Sequence, residues 1–301
     1  MKKFIKILVI FLVILQIPLI AKAEEKDNYN TKMKQDILVL LMAYPGYIKD
    51  IEKSNDNKVY IVMKSGKKIL YDDHVEKSHE EKLANPDISD MLEQIYPLEM
   101  TTEIMDKGFD PGRARHYELL SEVYGSNQSA ITKNLTKLKS GYTNYQFNSK
   151  NGASAALDQT LSDLICLSKS NNKIGGILYP ASGTFNYRVI SGTGRLSPHA
   201  YGIAIDLKSD RRDYWKWCTK EEARTRLLEY PEDLVKTFER NNFVWGGKWG
   251  HFDILHFEYR PEIIIKAKYF SNTDNLENWY GEVPMNESNM GYISMIEEKL
   301  G

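Results

Sequence analysis

Cysteine is scarce in this chain of 301 residues, which contains only Cys166 and Cys218. Two cysteines cannot build the disulfide framework that stabilises many small exported domains. Because no C-x-x-C pair is present, the sequence gives no support for a metal site made of thiolates. The two cysteines could pair in an exported protein, but the sequence favours two separate, partly buried thiols.

The chain also has no excess of positive or negative charge. The chain has 40 Lys and Arg residues against 41 Asp and Glu residues, for a formal net charge of −1. It shows no basic stripe interleaved with aromatic residues, so there is no electrostatic reason to expect a nucleic-acid partner. Internal repeats and low-complexity segments are absent as well, which argues against a repeat architecture. The sequence does not indicate an oligomeric state.

One long hydrophobic run is present, and it lies at the N-terminus. Residues 1–3 are basic at two positions, residues 4–20 are almost wholly apolar, and residues 21–23 read Ala-Lys-Ala before two glutamates. This order predicts a signal peptide over residues 1–23, cleaved after Ala23, and an exported protein. An uncleaved membrane anchor is the alternative, since the run is nearly long enough to span a bilayer.

The remaining chain mixes helical and strand-like patterns. We divide it into an N-terminal region of unknown role (24–109), a principal domain (110–270) and a C-terminal tail (271–301). The spacing of apolar residues and the positions of Pro and Gly predict the following elements. Helices are expected over 31–44, 88–96, 113–124, 130–138, 153–168 and 231–241, and strands over 58–63, 68–71 and 142–147.

The segment 195–207 is a candidate site. It contains His199 and, seven residues later, Asp206, with small and bulky apolar residues alternating between them. Read as a strand, the segment places Gly202, Ala204 and Asp206 on one face. The small residues would leave open space beside the carboxylate.

A second cluster, in residues 253–258, supplies another histidine and two more acids. Together, His199, Asp206 and His256 would make a reasonable ligand set for a catalytic Zn²⁺, with the fourth position left to water. Such a zinc lowers the pKa of its water to about 7. A buried polar network is the alternative, and spacing alone does not decide between the two.

Asp253 is the candidate general acid and base. A regular strand would place Asp253 and His256 on opposite faces, so we expect Asp253 in a turn or bulge before the strand that begins near His256. Glu258 would share the face of His256 and either support that ligand or pair with a basic residue. Arg188 and Arg195 are the nearest cations that could stabilise negative charge on a carbonyl oxygen.

The other histidines receive structural interpretations. His74 and His79 lie in a charged segment and are expected to be exposed surface residues. His116 is expected to be structural, and His251 is equally compatible with a role in the site and with a satisfied structural role.

These motifs together resemble one known family. The pattern Ser197-x-His199-x-x-Gly202-x-Ala204-x-Asp206, followed by Trp245-Gly246-Gly247 and Asp253-x-x-His256-Phe257-Glu258, is similar to that of the zinc D-alanyl-D-alanine carboxypeptidases. These include the VanY-like peptidases and the related L-alanyl-D-glutamate endopeptidases, which share the hedgehog/DD-peptidase fold. The upstream Tyr187-Arg188 resembles the Tyr-Arg motif of the family. The resemblance covers residues 183–262, and Asp253 stands where some dipeptidase relatives have Glu.

The resemblance implies a role for each residue. His199, Asp206 and His256 would hold Zn²⁺, Asp253 would act as acid and base, and Arg188 would steady the substrate carbonyl. Further residues are assigned to substrate contact or to support of the ligands: Ser197, Glu258, Tyr187 and Trp249. The implied fold is α+β, with a small antiparallel sheet that carries the zinc site and is packed by helices, beside an additional N-terminal region.

The function that follows is an exported zinc metallopeptidase, a carboxypeptidase or endopeptidase, that is secreted or associated with the cell wall. Its expected partners are the stem peptides of peptidoglycan. Two alternatives remain open at this stage. One is a non-catalytic cell-wall-binding module on the same scaffold, and the other is a zinc amide hydrolase with a substrate outside the wall.

Overall fold

The computed structural model describes residues 28–140, 143–272 and 278–301. The predicted signal peptide, residues 1–23, lies outside the described residues. The helices are α1 (28–43), α2 (His79–Ala84), α3 (Ile88–Met91), α4 (Tyr117–Tyr124), α5 (Gln128–Asn134), α6 (Ala153–Ser168), α7 (Asn172–Leu178), α8 (Pro198–Tyr201), α9 (Lys220–Leu227), α10 (Glu232–Arg240), α11 (Pro261–Phe270) and α12 (Glu287–Leu300). The strands are β1 (Ile48–Lys53), β2 (Val59–Met63), β3 (Lys68–Leu70), β4 (Leu135–Ser140), β5 (Thr143–Asn148), β6 (Ala204–Asp206), β7 (Phe243–Trp245) and β8 (His256–Tyr259).

Three small antiparallel sheets organise the strands. The first has the order β1-β2-β3, the second pairs β4 with β5, and the third has the order β6-β8-β7. Helices pack around these sheets; α10, for example, contacts both β7 and α6. The predicted α+β fold with small antiparallel sheets is confirmed.

One hydrophobic core joins the described parts of the chain. Its buried residues run from Met33 in α1 to Ile296 in α12. Buried polar contacts also link residues before position 110 to the later chain. The hydroxyl of Tyr44 donates to Glu262 at 2.8 Å, and the hydroxyl of Tyr96 donates to Glu239 at 2.6 Å. The N-terminal region therefore packs directly against the part of the chain that carries the candidate site.

The local patterns predicted some elements well. The helix predicted over 153–168 is α6 with the same bounds, because Leu157, Leu161 and Leu164 recur on one buried face. A helix is predicted over 130–138, but α5 ends at Asn134, so the prediction is wrong for residues 135–138. Residues 135–140 form β4 instead and pair with β5 along their whole length. Pairing between strands here overrides the local helical pattern.

Two further observations bear on expectations from the sequence. Both cysteines are unpaired, so the separate thiols are confirmed, although Cys166 is exposed rather than partly buried. Among the described residues, no helix has the length and apolar character needed to cross a bilayer.

Candidate metal centre

The first histidine of the centre is held by a single helical turn. Ser197 caps α8, and its hydroxyl accepts a hydrogen bond from the backbone N–H of His199 at 3.3 Å. Both Ser197 and His199 are buried. The structure thus gives Ser197 a defined task, which is to begin the helix that carries His199.

Gly202 ends this helical turn and does not lie in a strand. Its φ of 69° is in the left-handed region, and a Cβ placed there would meet the side chain of Leu135 at 2.7 Å. The expectation that Gly202 clears space beside the carboxylate is therefore wrong. A glycine is required because the helix ends in a left-handed conformation and β4 packs closely against it.

The other two candidate ligands lie on neighbouring strands. In the third sheet, Asp206 of β6 is paired directly with His256 of β8. Residues directly opposite one another in an antiparallel pair project from the same face. The pairing therefore brings Asp206 and His256 together although 50 residues separate them in the chain.

Three donor atoms converge at the centre. Nδ1 of His256 is 2.9 Å from Oδ1 of Asp206 and 3.2 Å from Nε2 of His199, and the latter is also 3.2 Å from Oδ1 of Asp206. Donor atoms of a tetrahedral zinc site with bonds of about 2.0–2.1 Å lie roughly 3.3 Å apart. The two imidazoles and the carboxylate therefore fit Zn²⁺ in number, type and spacing. The Asp206 side chain is 24% exposed, so the centre opens toward solvent on the side of this ligand.

Each histidine is oriented by an acceptor behind its ring. Nδ1 of His199 lies 2.6 Å from the carbonyl oxygen of Thr184, to which it can donate, and this leaves Nε2 to face the centre. Nε2 of His256 lies 3.6 Å from Oε2 of Glu258. Acceptors of this kind fix the ring and the tautomer of metal-binding histidines. Sequence reasoning did not find Thr184, because a backbone acceptor leaves no trace in residue type.

Glu258 is held in place by Arg115. The buried Glu258 carboxylate accepts hydrogen bonds from Nε of Arg115 at 2.8 Å and from Nη2 at 2.6 Å. Burial opposes ionisation of Glu258, but the charge of Arg115 and its hydrogen bonds leave the pKa of Glu258 well below its usual range. Glu258 therefore pairs with a basic residue, which is one of the two roles expected of it, and its carboxylate also faces the ring of His256 at 3.6 Å. Arg115 lies 143 positions from Glu258 and had no motif around it that could have revealed it.

The charges at the centre favour a bound cation. Burial acts to raise the pKa of Asp206, but hydrogen bonds with His199 and His256 outweigh burial and lower it. For His256, burial acts to lower the pKa, yet Asp206 and Glu258 raise it to about 10. Without a metal, His256 is therefore protonated at neutral pH and pairs with the Asp206 carboxylate. Binding of a divalent ion would displace that proton, so metal affinity should rise with pH.

Asp253 lies in the turn before β8, as predicted. Its backbone N–H donates to the carbonyl of Gly246 at 3.0 Å, and its carbonyl accepts from the N–H of His256 at 3.0 Å. Burial raises the pKa of Asp253 to about 7, with His256 acting in the opposite direction and Asp206 adding to the increase. A carboxylate with a pKa near neutrality is suited to accept and return a proton.

The predicted substrate-contacting residues have mixed positions. Arg188 is exposed, and its backbone carbonyl accepts from the N–H of Ser197 at 3.0 Å, which ties its loop to the start of α8. Tyr187 is half-buried, as is Arg195. Trp249 is buried 5.8 Å from the ring of His256, and its Nε1 donates to the carbonyl of Pro111. The indole of Trp249 therefore packs beside the imidazole of His256.

The positions of the other four histidines agree only in part with the sequence-based predictions. His74 is exposed, as predicted, and His116 caps α4 through its ring nitrogen, which confirms a structural role. The expectation that His79 is an exposed surface residue is wrong, because its side chain is only 22% exposed and pairs with Asp110. His251 pairs with the same aspartate. Nothing in the local sequence indicates these contacts, because the three residues come from distant segments.

Comparison with known proteins identifies the region around the centre. Residues 191–259 match the family model described as D-alanyl-D-alanine carboxypeptidase. The family resemblance is therefore confirmed over this stretch, which contains His199, Asp206, Asp253 and His256 but not Arg188. Significant matches are absent both among curated proteins and among solved structures. Over these residues the chain is similar to the D-alanyl-D-alanine carboxypeptidase family.

Proposed function

We propose that this protein is an exported zinc metallopeptidase that hydrolyses peptide bonds in the stem peptides of peptidoglycan. The observation that carries the proposal is the convergence of Nε2 of His199, Oδ1 of Asp206 and Nδ1 of His256 within 2.9–3.2 Å of one another. The family match over the same residues supports a peptidase, and the wall substrate follows from the name of that family.

His199, Asp206 and His256 would hold the ion. When bound, zinc supplies Lewis acidity that polarises a scissile carbonyl and activates water for attack. Thr184 and Glu258 keep the two imidazoles aimed at the centre. The open side next to Asp206 is where a peptide carbonyl would approach.

Asp253 would move the proton. Its carboxylate lies close enough to His256 and Asp206 for their charges to shift its pKa. With a pKa near 7, the carboxylate can take a proton from the attacking water and deliver it to the departing amine. Retention of this acid next to a full ligand set favours catalysis over a non-catalytic wall-binding module.

Arg188 is assigned to the substrate in this proposal. Its exposed side chain extends from a loop whose backbone is fixed to the beginning of α8. In this proposal the guanidinium would contact a substrate carbonyl or the negative charge that develops on it. We assign catalysis to residues 110–270 and export to residues 1–23.

A digest of purified muropeptides, analysed by mass spectrometry, tests the proposal. The protein with added Zn²⁺ should release D-alanine or split a stem peptide, and the masses of the products identify the bond. Removal of the metal with a chelator should abolish the cleavage, and Zn²⁺ should restore it. Intact muropeptides after incubation with the zinc-loaded protein would contradict a wall substrate. Cleavage that persists after complete metal removal would contradict the metal mechanism.

A further inference from the structure

A second group of two histidines and one aspartate lies outside the candidate metal centre. Nε2 of His79 is 2.7 Å from Oδ2 of Asp110, and Nδ1 of His251 is 2.6 Å from the same oxygen. The ligand atoms all lie within 4.8 Å of one another. The two rings are parallel within 1° and their centroids are 5.9 Å apart. We call this group the His79–Asp110–His251 cluster.

The cluster is built around a buried carboxylate. The Asp110 side chain is fully buried, and the guanidinium of Arg113 lies 3.9 Å away. Its Oδ1 already accepts the backbone N–H of His251 at 2.8 Å. Oδ2 is shared by the two imidazoles, since one nitrogen of each ring lies within 2.7 Å of it. A buried carboxylate oxygen beside two imidazole nitrogens provides the mixed oxygen and nitrogen donors of a divalent-metal site.

We propose that the His79–Asp110–His251 cluster is a second metal site, and that its ion is Zn²⁺ or a similar divalent transition metal. Two imidazole nitrogens and one carboxylate oxygen are the donor types that such ions prefer. The side chains of His79 and His251 are 22% and 15% exposed, so water can reach a fourth position. The two separations between a histidine nitrogen and Oδ2 of Asp110 are shorter than the roughly 3.3 Å of a tetrahedral zinc site, so metal binding would lengthen them by about 0.6 Å.

The site would fasten the N-terminal region to the loop that carries Asp253. His79 begins α2 in that region, while His251 lies two residues before Asp253. The same loop is already attached nearby, since Gly250 N–H donates to the carbonyl of Phe109 at 2.7 Å. A metal ion at this position would therefore stabilise the packing of residues 28–109 against the loop that carries Asp253. This inference does not depend on the identity of the substrate.

Metal stoichiometry tests the second site. The full-length protein would be stripped with a chelator, equilibrated with Zn²⁺ and measured by inductively coupled plasma mass spectrometry. We expect two zinc ions per wild-type chain, one in His79→Gln, one in His199→Gln and none in the double variant. His116→Asn is the matched control and should retain two ions, because His116 caps a helix and belongs to neither cluster.

A second measurement keeps the test independent of variant folding. Titration of the stripped wild-type protein with Co²⁺ should give two equivalents with d–d absorption, and His251→Gln should lose the same equivalent as His79→Gln. One equivalent in the wild-type protein would overturn the proposal. A second equivalent that survives in both His79→Gln and His251→Gln would also overturn it. The cluster would then be a hydrogen-bonded network.

Discussion

Oε2 of Glu258 lies 3.6 Å from Nε2 of His256, while the opposite nitrogen of the same ring faces Asp206 at 2.9 Å. Arg115 holds the carboxylate from behind through Nε and Nη2. Arg115 thus contacts Glu258, Glu258 faces His256, and His256 contributes a nitrogen to the candidate metal centre. A carboxylate in this position orients a metal-binding imidazole and raises its basicity.

Glu258→Gln should therefore weaken zinc binding. Loss of a supporting carboxylate typically reduces metal affinity about 10–100-fold, and we expect a change in that range for the dissociation constant measured by competition with a chromogenic chelator. Glu118→Gln is the control, because Glu118 is exposed and far along the chain in α4. Equal affinities of wild type and Glu258→Gln in folded protein would show that Glu258 has only a structural role.

Asp253→Asn should separate metal binding from turnover. The amide keeps the size of the side chain but cannot accept a proton, so kcat should fall about 10²–10⁴-fold. Because Asp253 is not among the three converging donors, zinc content should remain that of the wild type. Rates on a stem peptide and zinc content would be measured on the same preparation. Asp158→Asn, on the exposed face of α6, is the matched control. A fully active Asp253→Asn variant would refute the role of Asp253 as acid and base.

His116 should make the stability of the fold depend on pH. Burial lowers the pKa of His116 from 6.5 to about 4. Between these values the unfolded chain binds the proton and the folded chain does not, so stability is full above pH 6.5 and is lost as the pH falls toward 4. At pH 5 this single group should reduce the free energy of unfolding by about 2 kcal/mol.

The variant His116→Asn tests this contribution. Asparagine is a good helix N-cap and does not titrate, so α4 should keep its cap. Urea unfolding at pH 7.5 and at pH 5 should show a smaller loss for the variant than for the wild type. Parallel losses in the two proteins would mean that other groups cause the pH dependence.

Gly202→Ala should destabilise the fold. The left-handed φ of 69° and the close approach of Leu135 both oppose a Cβ at this position. Strain and steric overlap together should reduce the free energy of unfolding by about 2–3 kcal/mol. Gly176→Ala is the control, since Gly176 lies in α7 with open space around its Cβ position, and alanine favours helix. Chemical denaturation would measure the free energy of unfolding of both variants and of the wild type. A cost for Gly202→Ala no larger than that for Gly176→Ala would contradict the packing argument.

The sequence alone predicted the parts of the site that depend on local pattern. Residue types and spacing singled out His199, Asp206, Asp253 and His256 as candidates, and the resemblance to a known family supplied their expected roles. The periodicity of apolar residues gave the bounds of α6. The turn before His256 also followed from local geometry, because a regular strand would have turned Asp253 away. Short motifs can therefore indicate candidate site residues before the fold is known.

Tertiary structure decided what depends on contacts between distant segments. Only the pairing of β6 with β8 places Asp206 opposite His256, and only packing brings Arg115 behind Glu258. The same reason explains the errors, since pairing with β5 made a strand of residues 135–140 and contact with Asp110 partly buried His79. Hydrogen bonds and close packing between remote residues leave no periodic trace in the chain, so the energies that fix them become visible only in the folded protein.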